Sequence, residues 1–121
     1  MIKIKIDYKL DGWNEIIAYN RTNKFIGAQR KKREMQIIKL FLVGIPKIEK
    51  YPIKITFNWY VKNFASDLDN KSTKAILDAM QSFGIIKQDN CKHIKEITHR
   101  AYRSEKDYVI LEIEEYNEGD K

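Results

Sequence analysis

Two aspartates separated by one residue, Asp67 and Asp69, lie where an alternating segment typical of a strand is followed by a run of helix-forming residues. A third aspartate, Asp89, follows the predicted end of that helix. Carboxylates gathered on a basic protein repel one another and repel phosphate, so their clustering needs a physical reason. A divalent metal ion supplies one, because Mg²⁺ takes oxygen ligands, usually one or two carboxylates with water and substrate phosphate. At positions i and i+2 of an extended chain, Asp67 and Asp69 point the same way and can serve one ion.

The groups next to these aspartates fit chemistry on a phosphate ester. The N-terminus of the following helix offers free N–H groups and a partial positive charge. Lys74, one turn inside that helix, can reach a phosphoryl oxygen as a point charge. A metal held by the three aspartates can activate a water and neutralise charge on the attacked phosphate, as in-line phosphodiester hydrolysis requires.

A purely structural interpretation of the same residues stays open. An Asp-x-Asp-Asn sequence before a helix often only caps it. Lys74 and Asp78, four residues apart, can form an ordinary ion pair on the helix surface. His93 and His99 are predicted to be exposed strand residues that do not bind zinc, and Cys91 has no predicted role.

Periodicity and turn residues predict the elements that position the site. In chain order they are strand 2–10, helix 28–43, strand 51–62, helix 70–82, strand 94–103 and strand 108–116. The last two strands are expected to form a hairpin, and Asp69 or Asn70 to be the N-cap of the second helix. The side chains expected to pack that helix are Ile76, Ala79, Met80 and Phe83. The order β-α-β-α-β-β predicts a single-domain α+β fold, with a mixed four-stranded sheet and helices packed on one face.

Charge and composition favour a polyanionic partner. The 121 residues contain 23 Lys and Arg against 17 Asp and Glu, a net charge of +6, which suits nucleic acid or an anionic membrane. Basic and amide side chains near aromatic ones suit phosphate contacts combined with base stacking. The candidate DNA-binding residues are Asn14, Arg21, Lys24, Arg30, Lys31, Lys32 and Arg33. The last four are consecutive and point around a helix, so they cannot all face one partner.

Cysteine content and hydropathy set the expected compartment. Cys91 is the only cysteine, which excludes an intrachain disulfide and a cysteine-rich zinc cluster. No apolar run approaches the roughly 18 residues that a membrane span needs. We therefore expect a cytoplasmic protein without a membrane partner.

Three parts of the chain together resemble the signature of the RusA family of Holliday-junction resolvases, small endodeoxyribonucleases carried mostly by phages and prophages. They are Asp67-Leu68-Asp69-Asn70, then Lys74-Ala75-Ile76-Leu77-Asp78-Ala79-Met80, then Gly84-Ile85-Ile86-Lys87-Gln88-Asp89. The resemblance implies one RusA-like endonuclease domain over residues 1–121, acting as a homodimer. Such a dimer binds four-way DNA junctions by structure and makes paired, symmetric nicks in recombination and repair. The resemblance also implies Mg²⁺ as cofactor, with Mn²⁺ as a possible substitute.

By motif position, Asp67, Asp69 and Asp89 would be the catalytic, metal-binding carboxylates and Lys74 the catalytic lysine. Lys74 lies four residues after Asn70, where a common form of the motif has three, so Lys71 stays possible in that role. Two other departures are Ser66, where the family often has a basic residue, and Gln88, which replaces one member of an acidic pair.

Two other functions remain open from the sequence. One is a non-catalytic nucleic-acid-binding module of phage replication, in which the aspartates only cap a helix. The other is a protein-interaction domain of phage replication whose basic face is incidental.

Overall fold

The computed structural model of the chain describes residues 1–10, 21, 24–68 and 71–117, and the side chains of residues 24–26 lie outside this description. Its elements are β1 (Ile2–Ile6), α1 (Lys24–Leu40), β2 (Ile53–Val61), α2 (Thr73–Phe83), β3 (Ile94–Arg103) and β4 (Tyr108–Glu115). Their order confirms the predicted sequence of strands and helices.

The four strands form one mixed sheet in the order β1-β4-β2-β3. β4 lies antiparallel to both β1 and β2, whereas β2 and β3 are parallel and are joined through α2. The α+β class and the mixed four-stranded sheet are therefore confirmed.

The predicted hairpin of β3 and β4 is wrong, because β2 lies between these two strands. The connection at residues 104–107 crosses the end of β2, where the Ser104 N–H donates to the Val61 carbonyl at 3.0 Å. Burial explains the arrangement. β4 buries alternate residues and takes an inner position, whereas β3 buries only Ile94 and lies at the edge.

The core lies between one face of the sheet and the two helices. Alternate residues of β2, from Ile53 to Val61, point to this face, as the period-two pattern predicted. In register with them, Leu111 of β4 is fully buried. The helices contribute Ile38, Ile76 and Met80 to the same cluster, and Leu42, in the turn after α1, joins them.

Four local predictions need correction. β1 ends at Ile6 rather than residue 10, because its partner β4 begins at Tyr108 and pairs Val109 with Ile6. α1 spans 24–40 rather than 28–43. α2 begins at Thr73 with Ser72 as its N-cap, instead of Asp69 or Asn70.

The fourth correction concerns Phe83, which is 42% exposed. Gly84 follows it with φ +92°, a left-handed conformation that ends the helix. The chain then turns so that the Ile85 N–H donates to the Met80 carbonyl at 2.9 Å. Ile85 and Ile86, both about 1% exposed, therefore fill the core where Phe83 was expected.

Neither helix of the described chain has the length and apolar composition needed to cross a bilayer.

Candidate functional site

The turn between β2 and α2 is organised by Asn63. Its Oδ1 accepts a hydrogen bond from the Ala65 N–H at 3.0 Å, and its carbonyl accepts from the N–H and Oγ of Ser66 at 3.1 and 2.7 Å. Lys71 Nζ donates back to Ser66 Oγ at 3.3 Å. These bonds carry the chain from the strand to the helix and leave Asp67 exposed to solvent.

A cleft of about 390 Å³ opens beside this turn, at the end of β2 and the start of β4. Its cations are Lys9, Lys62 and Lys71, and its tyrosines are Tyr8, Tyr60 and Tyr108. Asp107 is the only carboxylate lining it among the described residues, and its Oδ1 accepts from the Lys62 N–H at 3.2 Å. We call this the lysine cleft. Three lysines against one carboxylate make it attractive to anions.

Ser72 also lines the lysine cleft, at the N-cap of α2. Its side chain makes no capping hydrogen bond, and its Oγ is buried without a hydrogen-bond partner among the described residues. A buried hydroxyl without a hydrogen-bond partner destabilises the folded state. The amino-acid pattern does not predict this uncapped hydroxyl, since serine before a helix normally caps it.

A second, smaller groove of about 110 Å³ lies against α1 and is lined by Arg30, Arg33, Glu34, Ile37 and Tyr8. Tyr8 lines both this groove and the lysine cleft, so the two are adjacent. Lys31 and Lys32 are exposed but do not line the groove. Two of the four consecutive basic residues therefore line the groove and two do not, as expected for residues that point around a helix.

Other sequence-predicted residues are only partly described. Arg21 is exposed. Asn14, Asp69 and the side chain of Lys24 lie outside the described residues.

The two candidate lysines have different surroundings. Lys71 lines the lysine cleft. Lys74 does not: its side chain is 65% exposed and its Nζ lies 3.5 Å from Asp78 Oδ1 in the same helix. The predicted i,i+4 ion pair is thus confirmed.

Asp89 lies at the opposite end of the sheet from Asp67. The loop that contains it packs beside the start of β2, where the Lys87 N–H donates to Tyr51 Oη at 3.0 Å and the Ile53 N–H donates to the His93 carbonyl at 2.8 Å. Asp67 follows the end of β2. A strand of nine residues separates the two ends by about 26 Å at roughly 3.3 Å per residue.

Within one chain, Asp67 and Asp89 therefore lie near opposite ends of β2 and do not hold one metal ion between them. Asp69, the other predicted ligand, lies outside the described residues. No three His, Cys, Asp or Glu side chains within residues 1–10, 21, 24–68 and 71–117 lie close enough to hold a metal ion. Of the donors that the resemblance implies, Asp67 and Asp89 are too far apart to share one Mg²⁺ within a single subunit.

His99 is an exposed strand residue, as predicted, and it also has partners on the neighbouring strand. Its Nδ1 accepts a hydrogen bond from Trp59 Nε1 at 3.0 Å, and its ring stacks on that of Phe57 with centroids 5.2 Å apart. Burial of the ring lowers the pKa of His99 below 6.5. The interaction depends on the parallel pairing of β2 and β3, which the sequence pattern did not predict.

A tyrosine ladder crosses the sheet face opposite the helices. The rings of Tyr102, Tyr60 and Tyr108 stack in that order, with centroids 5.0 and 4.5 Å apart. Lys5 Nζ lies 4.7 Å from the Tyr108 centroid. The rings cover one another across the strands, so the ladder stabilises strand pairing.

Comparison with protein-family models and with curated proteins finds no match for this chain.

Proposed function

We propose that the protein is a metal-dependent, structure-selective endodeoxyribonuclease that resolves four-way DNA junctions. The observation that carries the proposal is the position of the acidic motif. The turn that bears Asp67 borders the lysine cleft, and the cleft is adjacent, through Tyr8, to the groove at Arg30 and Arg33. A carboxylate motif at the margin of a basic surface suits an enzyme that binds a polyanion and cuts it.

The basic residues have distinct parts in this proposal. Arg30 and Arg33 on α1 hold one stretch of DNA backbone through phosphate contacts, which position the duplex without reading its sequence. Lys62 and Lys71 hold the phosphate nearer to the acidic motif. Because Lys71 lines the cleft and Lys74 pairs with Asp78, we assign the catalytic lysine to Lys71.

The test is cleavage and binding of a synthetic four-way junction with and without Mg²⁺. Asp69→Asn is expected to abolish cleavage and to retain junction binding, because it removes a candidate metal ligand and leaves the basic surfaces intact. Asp78→Asn is the matched control, since this carboxylate lies within α2 and pairs with Lys74. Wild-type cleavage rates for Asp69→Asn in Mg²⁺ would show that the site is assigned wrongly.

The separation of Asp67 and Asp89 favours a second candidate, a non-catalytic nucleic-acid-binding module. In that case, junctions bind equally well with and without Mg²⁺, and no strand is nicked. The same assay separates the two functions because it scores binding and nicking independently.

A further inference from the structure

The start of α2 carries hydrogen-bond donors that Ser72 leaves unused. Backbone N–H groups in the first turn of a helix have no acceptor within the helix, and an N-cap serine normally accepts from one of them. Ser72 makes no such bond with its side chain, although its carbonyl accepts from the Ile76 N–H at 3.2 Å. The residue is 5% exposed, and its Oγ has no hydrogen-bond partner among the described residues. An uncapped helix start and a buried hydroxyl that can donate therefore lie at the same point.

These donors lie at the lysine cleft, which Ser72 lines. α2 is 11 residues long, and the N-terminus of a helix combines a partial positive charge with N–H groups that suit a phosphate. Serine has three staggered side-chain rotamers, so rotation about one torsion can turn the hydroxyl toward a ligand that enters the cleft. The helix start and the hydroxyl therefore indicate an anion subsite at this end of the cleft.

The charge of the lysine cleft fits a phosphomonoester. Three lysines line it, and Asp107 is the only carboxylate lining it in the described part of the chain, which leaves two positive charges uncompensated. A phosphate group attached through a single oxygen carries a charge of about −1.5 to −2 at pH 7 and presents three acceptor oxygens. A phosphodiester within a DNA strand carries a single charge. A terminal phosphate therefore neutralises the cleft more completely than a phosphate inside a strand.

The cleft has room for more than a phosphate. Its volume of about 390 Å³ falls within the range of about 300–1,000 Å³ that is typical of sites for small molecules. Tyr8 lines it, is 43% exposed, and stacks on no other ring within the described ranges. Nucleobases stack on exposed aromatic side chains of this kind. The cleft therefore offers a contact for a base as well as for a phosphate.

We propose that the lysine cleft binds a nucleoside monophosphate, either free or as the phosphorylated end of a DNA strand. The phosphate contacts Ser72, the first turn of α2 and Lys71, and the base stacks on Tyr8. This binding requires no cleavage, so the site does not depend on the proposed nuclease function. One consequence does rest on that function. Ser66, which precedes Asp67, lines the same cleft, so a bound phosphorylated end should inhibit junction cleavage.

Titration with dTMP, thymidine and inorganic phosphate, followed by amide chemical shifts in NMR spectra, tests the ligand chemistry. We expect dTMP to bind at least tenfold more tightly than thymidine or phosphate alone. The largest shifts should occur at the N–H groups of Thr73, Lys74 and Ala75, the first turn of α2. Equal affinity for dTMP and inorganic phosphate, or shifts spread over all basic surfaces, would overturn the proposal.

A single-stranded oligonucleotide with and without a 5′-phosphate distinguishes the two sources of the ligand. Tighter binding of the phosphorylated oligonucleotide than of dTMP would assign the end of a DNA strand. Equal binding of the two oligonucleotides, together with tight binding of dTMP, would assign a free nucleotide.

Ser72→Ala separates phosphate binding from a structural role. Loss of a capping serine normally destabilises a protein, but the Ser72 hydroxyl makes no cap. We expect Ser72→Ala to be at least as stable as the wild type in urea and to bind dTMP at least tenfold less tightly, because a donor to a charged phosphate is lost. Ser82→Ala is the matched control, since this hydroxyl lies near the other end of α2 and accepts from Lys39 Nζ at 2.9 Å. Unchanged dTMP affinity in a folded Ser72→Ala protein would exclude the subsite.

Two substitutions of Tyr8 test the contact with the base. Tyr8→Phe retains the ring and should bind dTMP as the wild type does. Tyr8→Ala should bind dTMP at least fivefold less tightly and leave the affinity for inorganic phosphate unchanged. Equal dTMP affinity of Tyr8→Ala and the wild type would overturn the placement of the base.

Cleavage assays show whether the nucleotide site and the nuclease function stand or fall separately. In Mg²⁺, the 5′-phosphorylated oligonucleotide should inhibit cleavage of a four-way junction more strongly than its unphosphorylated form. A wild-type protein that binds dTMP but cuts no junction would retain the nucleotide site and refute the nuclease function. One that cuts junctions but does not bind dTMP would refute the nucleotide site and retain the nuclease function.

Discussion

At the scale of single residues, His99 connects the two parallel strands and is sensitive to pH. Its Nδ1 accepts from Trp59 Nε1, and burial lowers its pKa below 6.5. As pH falls, the imidazole of His99 is therefore protonated at a higher pH in the unfolded chain than in the folded one. The contribution of neutral His99 to the free energy of unfolding is complete above pH 6.5 and is lost as pH falls from 6.5 through the lowered pKa of the folded state.

We accordingly expect the free energy of unfolding in urea to decrease between pH 7 and pH 5.5. In His99→Phe, which does not titrate and retains an aromatic ring beside Phe57, this decrease should be smaller. A decrease of equal size in both proteins would assign it to other groups. Circular dichroism at each pH verifies that the wild type and His99→Phe are both folded before urea is added.

Lys71 and Lys74 offer a second comparison between residues. Lys71→Ala should reduce the junction cleavage rate at least tenfold, because it removes a cation from the cleft beside the acidic motif. Lys74→Ala should change the rate by less than about threefold, since an exposed i,i+4 pair with Asp78 is worth only about 0.3–0.5 kcal/mol. Single-turnover rates with saturating protein measure the difference, and the reverse order would return the catalytic role to Lys74.

At the scale of elements, alternation along the chain was sufficient to identify β2 and β4, because half of their residues must enter the core. It did not identify their neighbours. The turn residues at 104–107 are compatible with a hairpin and also with a connection across the end of β2. The choice depends on which strand can bury a face, and only the packed sheet shows that β3 does not.

Helix α2 ends at Gly84, which adopts a left-handed conformation with φ +92°. A Cβ there would meet no atom within 4 Å, so the cost of Gly84→Ala is conformational. We expect a loss of about 1–2 kcal/mol in the free energy of unfolding. Gln81→Ala, an exposed position in the same helix, should change it by less than about 0.5 kcal/mol. Urea denaturation of the three proteins measures both, and equal stability of Gly84→Ala and wild type would contradict the assigned turn.

At the scale of the whole molecule, the sequence indicated which residues could bind DNA or metal but not how they are distributed in space. The basic run on α1 and the acidic motif were both evident from composition and spacing. The groove at α1 and the lysine cleft beside the acidic motif are adjacent because Tyr8 lines both, and this depends on the path of the chain after β1. The separation of Asp67 from Asp89 follows from the parallel crossover of β2 and β3, since such a crossover begins and ends at opposite ends of the sheet.

This distribution predicts how salt should affect DNA binding. If the groove at α1 and the lysine cleft form one binding surface, Arg33→Ala and Lys62→Ala each remove one phosphate contact, although they lie on different elements. Each should make the slope of log K against log salt concentration less negative by about 0.9 per binding site, and the double variant by about twice that. Lys3→Ala removes the same charge near the start of β1, outside both the groove and the lysine cleft, and should leave the slope unchanged. Fluorescence anisotropy of a labelled junction between about 50 and 200 mM salt measures the slope for the four variants and the wild type. If Lys3→Ala changed the slope as much as Arg33→Ala and Lys62→Ala do, binding would follow net charge alone. The groove and the lysine cleft would then no longer define the DNA path.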